Sequence, residues 1–234
     1  MRMPHQVLVC IFSADDPRSV PQRLEQAAAS FCRNRGLPAV PAEDLVTDRT
    51  DRGKPYFPRS AHLHLSISHS GSYWACAIAD QSVGLDLQQA EQPRQETREE
   101  MLRRHRKMAN RFFHPLEADF VARDCAHNFL TVWTAREAYV KLTGQGIDQY
   151  FSEHCVVPET DGDLDRISGG PDGVLWSAME KHFRRSAFAG EYVLCLCTDA
   201  PTEYTVTEFP TPAVPSRTAD PDLQERRYYD ERTY

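Results

Sequence analysis

Two oxygen-bearing side chains placed two residues apart on a β-strand point to the same side of it. Gly84-Leu85-Asp86-Leu87-Gln88 has that spacing within a run of strand-like composition. Asp86 and Gln88 can then present two oxygen ligands to one hard cation while Leu85 and Leu87 face the other way. A half-exposed strand with one solvated face has the same pattern. In WTAREAYVK, residues 133 to 141, Trp133, Glu137 and Lys141 follow one another at i,i+4. A carboxylate and an ammonium therefore share one helical stripe, either as part of a site or as a surface ion pair. The segment LSISHSG, Leu65 to Gly71, puts Ser68 and His69 at a strand end beside a glycine. Hydroxyl, imidazole and exposed backbone N–H groups bind phosphate oxygens there, or simply form a polar turn. Lys54, between Gly53 and Pro55, is a point charge on a confined backbone, suited to phosphate or to an ordinary loop. A serine hydrolase is a poor fit: there is no GxSxG pattern, and adjacent Ser and His on a strand point to opposite faces.

These residues need elements to hold them. The apolar run Val7 to Phe12 reads as a strand, and Pro21 to Arg33, with Leu24, Ala27, Ala28 and Phe31 near helical spacing, as a helix. Prolines, Asp and Gly break any period between Pro38 and Pro58, which reads as connecting chain. His62 to Ser68 and Tyr73 to Ala79 read as a hairpin closed by a polar turn, with Val83 to Leu87 as a third strand. The charge-rich stretch Gln89 to Arg111 marks a junction of two halves. Glu117 to Lys141 reads as one long helix stopped by Gly144 and Gly146. Residues 157–173, rich in Pro, Gly and Asp, read as irregular; Tyr192 to Cys197 and Tyr204 to Phe209 have strand composition. This order predicts two α+β halves in tandem rather than a doubly wound parallel sheet. The expected division is an N-terminal lobe over residues 1–100, a C-terminal lobe over residues 101–209 and a loose tail over residues 210–234.

The chain has 234 residues, 41% of them hydrophobic and 26% charged, which is ordinary globular composition with room for a sizeable core. A net charge of −7 argues against general nucleic-acid binding, so any phosphate must be held by a local cluster of cations. No apolar run approaches the length of a membrane span, and the N-terminal stretch lacks the form of a secretion signal. The expectation is a cytoplasmic protein without membrane contact. Seven cysteines without metal-type spacing are expected to be buried, reduced thiols.

Taken in order, GKP, SISHSG, GxDxQ, RFFHPLEADF and WxxREAxxKxxGxGI resemble the 4′-phosphopantetheinyl transferases, in particular their larger, monomeric, two-lobed class. The resemblance runs from Gly53 to Ile147 and more faintly from Tyr192 to Phe209. It implies two pseudo-symmetric lobes, each a small, mostly antiparallel sheet with a long helix. It also implies transfer of 4′-phosphopantetheine from coenzyme A to a serine of an apo acyl or peptidyl carrier protein, releasing 3′,5′-ADP.

By the same resemblance, Asp86 and Glu137 bind Mg²⁺, or Mn²⁺ in its place, together with the pyrophosphate. Lys141 contacts the α-phosphate, and Lys54, Ser68 and His69 hold the 3′-phosphoadenosine end. Glu137 is also the candidate base for the carrier serine. Gln88 stands where the family usually has Glu, which removes one formal charge from the metal site; its carbonyl oxygen remains a ligand for a hard cation. Arg136 stands where Lys is usual. Arg103, Arg104, Arg106, Lys107 and Arg111 offer a basic surface for an acidic carrier, or a solvated helix face balanced by neighbouring Glu. Arg18, Arg23, Arg33 and Arg35 are further candidates for the 3′-phosphate. Gln88 and the divergent N-terminal stretch keep a rival open, a carrier- or CoA-binding protein of the same fold with weak or no catalysis. A nucleotide phosphohydrolase would call for more Asp or His around Asp86 than GLDLQQ contains.

Overall fold

In the computed structural model, residues 4–90, 96–146, 151–168 and 174–212 are described. Strand β1 (His5–Ser13) leads into helix α1 (Val20–Arg35), which Gly36 ends in a left-handed cap. A two-stranded ribbon follows, β2 (Asp48–Arg49) and β3 (Pro55–Tyr56), inside the stretch expected to be plain connecting chain. Next come β4 (His64–Ser70), β5 (Tyr73–Ala79) and β6 (Val83–Gln89). Helices α2 (Arg98–Phe112), α3 (Pro115–Arg123) and α4 (Cys125–Thr143) occupy the middle of the chain. A short helix α5 (Asp161–Ile167) precedes β7 (Val174–Ala178), β8 (Lys181–Phe188), β9 (Tyr192–Thr198) and β10 (Thr202–Glu208).

One four-stranded sheet has the order β10-β1-β5-β4, antiparallel except for the parallel pair β1 and β10; the other, β6-β9-β8-β7, is antiparallel throughout. The expected α+β architecture of small, mostly antiparallel sheets with helices is therefore what forms. The strand alternation assigns the layers. Leu8, Cys10 and Phe12 pack under Leu24, Ala27, Ala28 and Phe31 of α1. Val7, Val9 and Ile11 face the other way, onto Leu85, Leu87, Leu194 and Leu196 of the second sheet. That sheet's far face, with Cys195, Cys197, Phe183 and Trp176, is covered by Phe129, Val132, Ala135 and Ala138 of α4. The layers are thus helix, sheet, sheet, helices. β1 lies between two apolar layers, which is why its sequence is an unbroken apolar run.

Several expectations are corrected. β4 and β5 form the hairpin, but the third strand does not continue it: β6 pairs with β9 at the edge of the other sheet. β10 returns to the first sheet beside β1. Both sheets therefore mix chain from either side of the expected boundary at residue 100. The long helix expected over Glu117 to Lys141 is two, broken at Asp124, whose carboxylate caps α4 by accepting from the Ala126 N–H (3.2 Å). The charged junction holds α2, opened by Thr97 and Glu100 in a reciprocal cap, and the irregular stretch at 157–173 contains α5, capped by Thr160. Both caps are readable in sequence once a helix is suspected. All seven cysteines are free and six are buried. Most of the expected tail, residues 213–234, lies outside the described residues. No helix among the described residues is long and apolar enough to cross a membrane.

Candidate active site

The site forms where α4 crosses β6, and Gly84 makes that crossing possible. A β-carbon at Gly84 would stand 1.8 Å from the Ala138 carbonyl oxygen and 2.7 Å from the Leu142 nitrogen, so the helix backbone rests directly on the strand. Two residues on, Asp86 points toward α4 and meets Lys141. The Lys141 ammonium donates to Asp86 Oδ1 at 2.6 Å and to Ser68 Oγ at 2.9 Å, and Ser68 donates to the same Oδ1 at 2.9 Å. Gln88 Nε2 donates to Asp86 Oδ2 at 3.2 Å, so the amide turns its nitrogen, not its carbonyl, toward the carboxylate. Asp86 is 1% exposed, a buried carboxylate compensated on both oxygens.

Glu137 lies one turn before Lys141 on α4. Burial raises its carboxyl above the usual range, and the nearby Asp86 charge raises it further, against the pull of Lys141 and Arg136. A carboxyl raised by burial and by a neighbouring carboxylate marks a natural seat for a divalent cation. Among the described residues no three His, Cys, Asp or Glu side chains form a ready metal cage. Two carboxylates still suit Mg²⁺, which keeps waters and takes remaining ligands from substrate phosphates. The donor set therefore fits the metal.

Beside this pair a cavity of about 300 Å³ is lined by Arg49, Arg52, Lys54 and Lys141, with no carboxylate among its lining residues. Lys54 donates to the Leu142 carbonyl at 2.5 Å, at the C-terminal end of α4, and burial lowers its ammonium. Arg49 donates to the Gly53 carbonyl at 2.7 Å and Arg52 to the Gln145 carbonyl. The two arginines sit on the β2–β3 ribbon, and no motif had singled them out; an arginine-rich turn, DRTDRGK, was the available signal.

Of the sequence-derived site residues, Asp86, Gln88, Ser68 and Lys141 come into direct contact, and Glu137 joins them electrostatically. Lys54 lines the adjoining cavity. His69 does not join them: it is exposed, on the face of β4 opposite Ser68. Arg136 is buried, paired with Glu117 of the RFFHPLEADF segment, and donates to the His154 carbonyl at 2.9 Å. Glu117 also accepts from the Val156 N–H at 2.8 Å and the His114 N–H at 3.0 Å. This pair anchors α3 to α4 and stands apart from the site. Arg18 and Arg23 bond Asp16 and Arg35 bonds Asp80, while Arg33 is exposed on α1. Trp133 stacks near Phe129 and lines a cleft of about 450 Å³ together with Gln88, Met101, Arg104 and Met108.

Comparison with known proteins points to one family. A family model described as the 4′-phosphopantetheinyl transferase superfamily matches residues 82–197, the stretch from β6 to β9 that carries Asp86, Glu137 and Lys141. A 4′-phosphopantetheinyl transferase of Bacillus subtilis is 30% identical over 154 residues, covering 64% of this chain and 61% of its own. The 4′-phosphopantetheinyl transferase psf-1 of Bacillus pumilus is 29% identical over 128 residues, covering 53% of this chain and 50% of its own. The matches thus span between half and three-fifths of these two relatives' lengths. The segment that builds the site, residues 82–197, thus matches the 4′-phosphopantetheinyl transferase superfamily.

Proposed function

We propose that the protein transfers the 4′-phosphopantetheine group of coenzyme A to a serine hydroxyl of an apo acyl or peptidyl carrier protein, releasing 3′,5′-ADP. One observation carries this reading. Lys141 both bonds Asp86 and lines the cationic cavity, so an acidic pair suited to a metal and a cavity suited to phosphate are contiguous. Coenzyme A, with a pyrophosphate and a separate phosphate monoester, matches that layout. Its pyrophosphate belongs at Asp86, Glu137 and Lys141, and its nucleotide end at Lys54, Arg49 and Arg52.

Asp86 and Glu137 would hold Mg²⁺, with Gln88 as a neutral third ligand once its amide turns over. When bound there, the ion would supply positive charge against that developing on the pyrophosphate oxygens. Lys141 holds the α-phosphate. Glu137 takes the proton of the carrier serine. The serine oxygen bonds the phosphorus next to pantetheine, and the bond from that phosphorus to the adenosine bisphosphate breaks, the leaving group departing with the electron pair. The cleft beyond Gln88 and the solvent-facing Arg103, Arg106, Lys107 and Arg111 of α2 supply the surface for an acidic carrier.

The test is intact mass of a panel of apo carrier proteins after incubation with the protein, coenzyme A and Mg²⁺. At least one carrier should gain phosphopantetheine. Chelation should stop the reaction, with Mg²⁺ or Mn²⁺ restoring it, and Glu137→Gln should lower kcat by about 100-fold or more. Calorimetric binding of coenzyme A with no transfer, to carriers that a known transferase modifies, would favour the rival to which the neutral Gln88 points, a binding protein without efficient catalysis.

A further inference from the structure

The two sheets meet edge to edge at β4 and β6, and side-chain hydroxyls join them there. β4 is the last strand of one sheet and β6 of the other. Ser66, Ser68 and Ser70, all on one face of β4, accept hydrogen bonds from the N–H groups of Leu85, Leu87 and Gln89 at 2.9, 3.1 and 2.9 Å. Each hydroxyl thereby satisfies a backbone donor on the edge of β6. The alternation in LSISHS places one serine opposite every second residue of β6.

The middle serine does more than its neighbours. A serine hydroxyl has one proton and two lone pairs. The oxygen of Ser68 accepts from Leu87 and from Lys141, and its proton goes to Asp86 Oδ1. All of its hydrogen-bonding capacity is used within the protein, so a substrate phosphate would have to displace one of these three partners. We infer that Ser68 is a positioning residue of the proposed transfer, fixing the Asp86–Lys141 pair to the seam between the sheets. This rests on the transferase reading above. Without the hydroxyl, Lys141 is held by Asp86 alone and the pair can swing together. Small misplacements of this kind are costly where phosphates must be aligned for in-line displacement.

The comparison is among Ser66→Ala, Ser68→Ala and Ser70→Ala. Ser66→Ala and Ser70→Ala each lose one hydrogen bond of the seam and should lower the melting temperature by roughly a few degrees, and Ser68→Ala, which loses three, should lower it further. Only Ser68→Ala should lower kcat, by about tenfold or more, with KM for coenzyme A within about threefold of wild type. Ser68→Thr, which keeps the hydroxyl, should restore kcat. Should the alanine variant not fold, Ser68→Cys keeps the volume with a poor hydrogen-bonding group and should show the same kcat loss. A readout independent of transfer is the acetylation rate of Lys141 relative to Lys181, followed by mass spectrometry. It should rise several-fold in the Ser68 variants lacking the hydroxyl and stay unchanged in the Ser66 and Ser70 variants. Unchanged kcat and Lys141 labelling in Ser68→Ala would overturn the inference, as would equal kcat losses in all three variants. Absence of transfer by the wild-type protein would instead overturn the transferase reading, and the labelling would still decide whether Ser68 holds Lys141.

Discussion

Arg136 and Glu137 are sequence neighbours with opposite assignments, because successive helical residues point about 100° apart. Glu137 turns toward Asp86 and Lys141, while Arg136 turns into the core, where it is 1% exposed against a Glu117 that is wholly buried. A buried pair of this kind is costly to halve. Glu117→Ala should destabilise the protein by about 3–5 kcal/mol in urea unfolding, because it strands the Arg136 charge. Replacing both residues with apolar side chains of similar volume should recover most of that loss, which a double-mutant cycle measures. Sequence reading met Arg136 as a charge-conserving variation in a motif and did not pair it with Glu117, 19 residues away. Nothing local links the two; helix packing brings them together.

The strand β6 and the helix α4 carry the chemistry jointly, and their distance is set at Gly84. Gly84→Ala should force the helix off the strand, cost about 3 kcal/mol and abolish transfer, as read by thermal unfolding and the carrier mass assay. Both elements were legible: β6 from its alternation, and most of α4 from its residue spacing, although its N-terminal boundary was not. α4 is buried on several sides, by α2, α3 and the second sheet, so its apolar residues do not mark one stripe, and the capping Asp124 is the only local sign of its start. β7 and β8 escaped the sequence reading because they mix exposed, half-buried and buried positions without strict alternation.

Across the whole molecule, the first and last described strands lie side by side, β1 parallel to β10. The chain leaving β10 is fastened by Arg18, which donates to the Pro210 carbonyl at 3.0 Å, and Phe209 stacks on Phe12. Arg18 is itself held by buried Asp16, and its hydrogen bonds keep the Asp16 carboxyl below the usual carboxylate range. A carboxyl depressed in the folded state contributes stability that is present above its unfolded value and is lost as the pH falls through its folded value. The Asp16 contribution should therefore hold from neutral pH down to about pH 4, the ordinary carboxyl value, and fall away below it, and Asp16→Asn should flatten part of that acid decline in urea midpoints measured across the range.

Alternation along β4 and β6 and i,i+4 spacing on α4 were enough to expect an α+β molecule and to put Asp86, Glu137 and Lys141 among the candidates, since these features arise from local geometry; the roles expected of those residues come from the family resemblance that the order of five short motifs carries. The partners of those residues were not written locally. That β6 leaves the hairpin for the second sheet, that β10 returns to β1, and that Ser68 faces Asp86 while His69 faces away all depend on how strand edges pair over long separations. The cationic cavity has the same origin. Arg49 and Arg52 gain their meaning only when the β2–β3 ribbon folds against the end of α4.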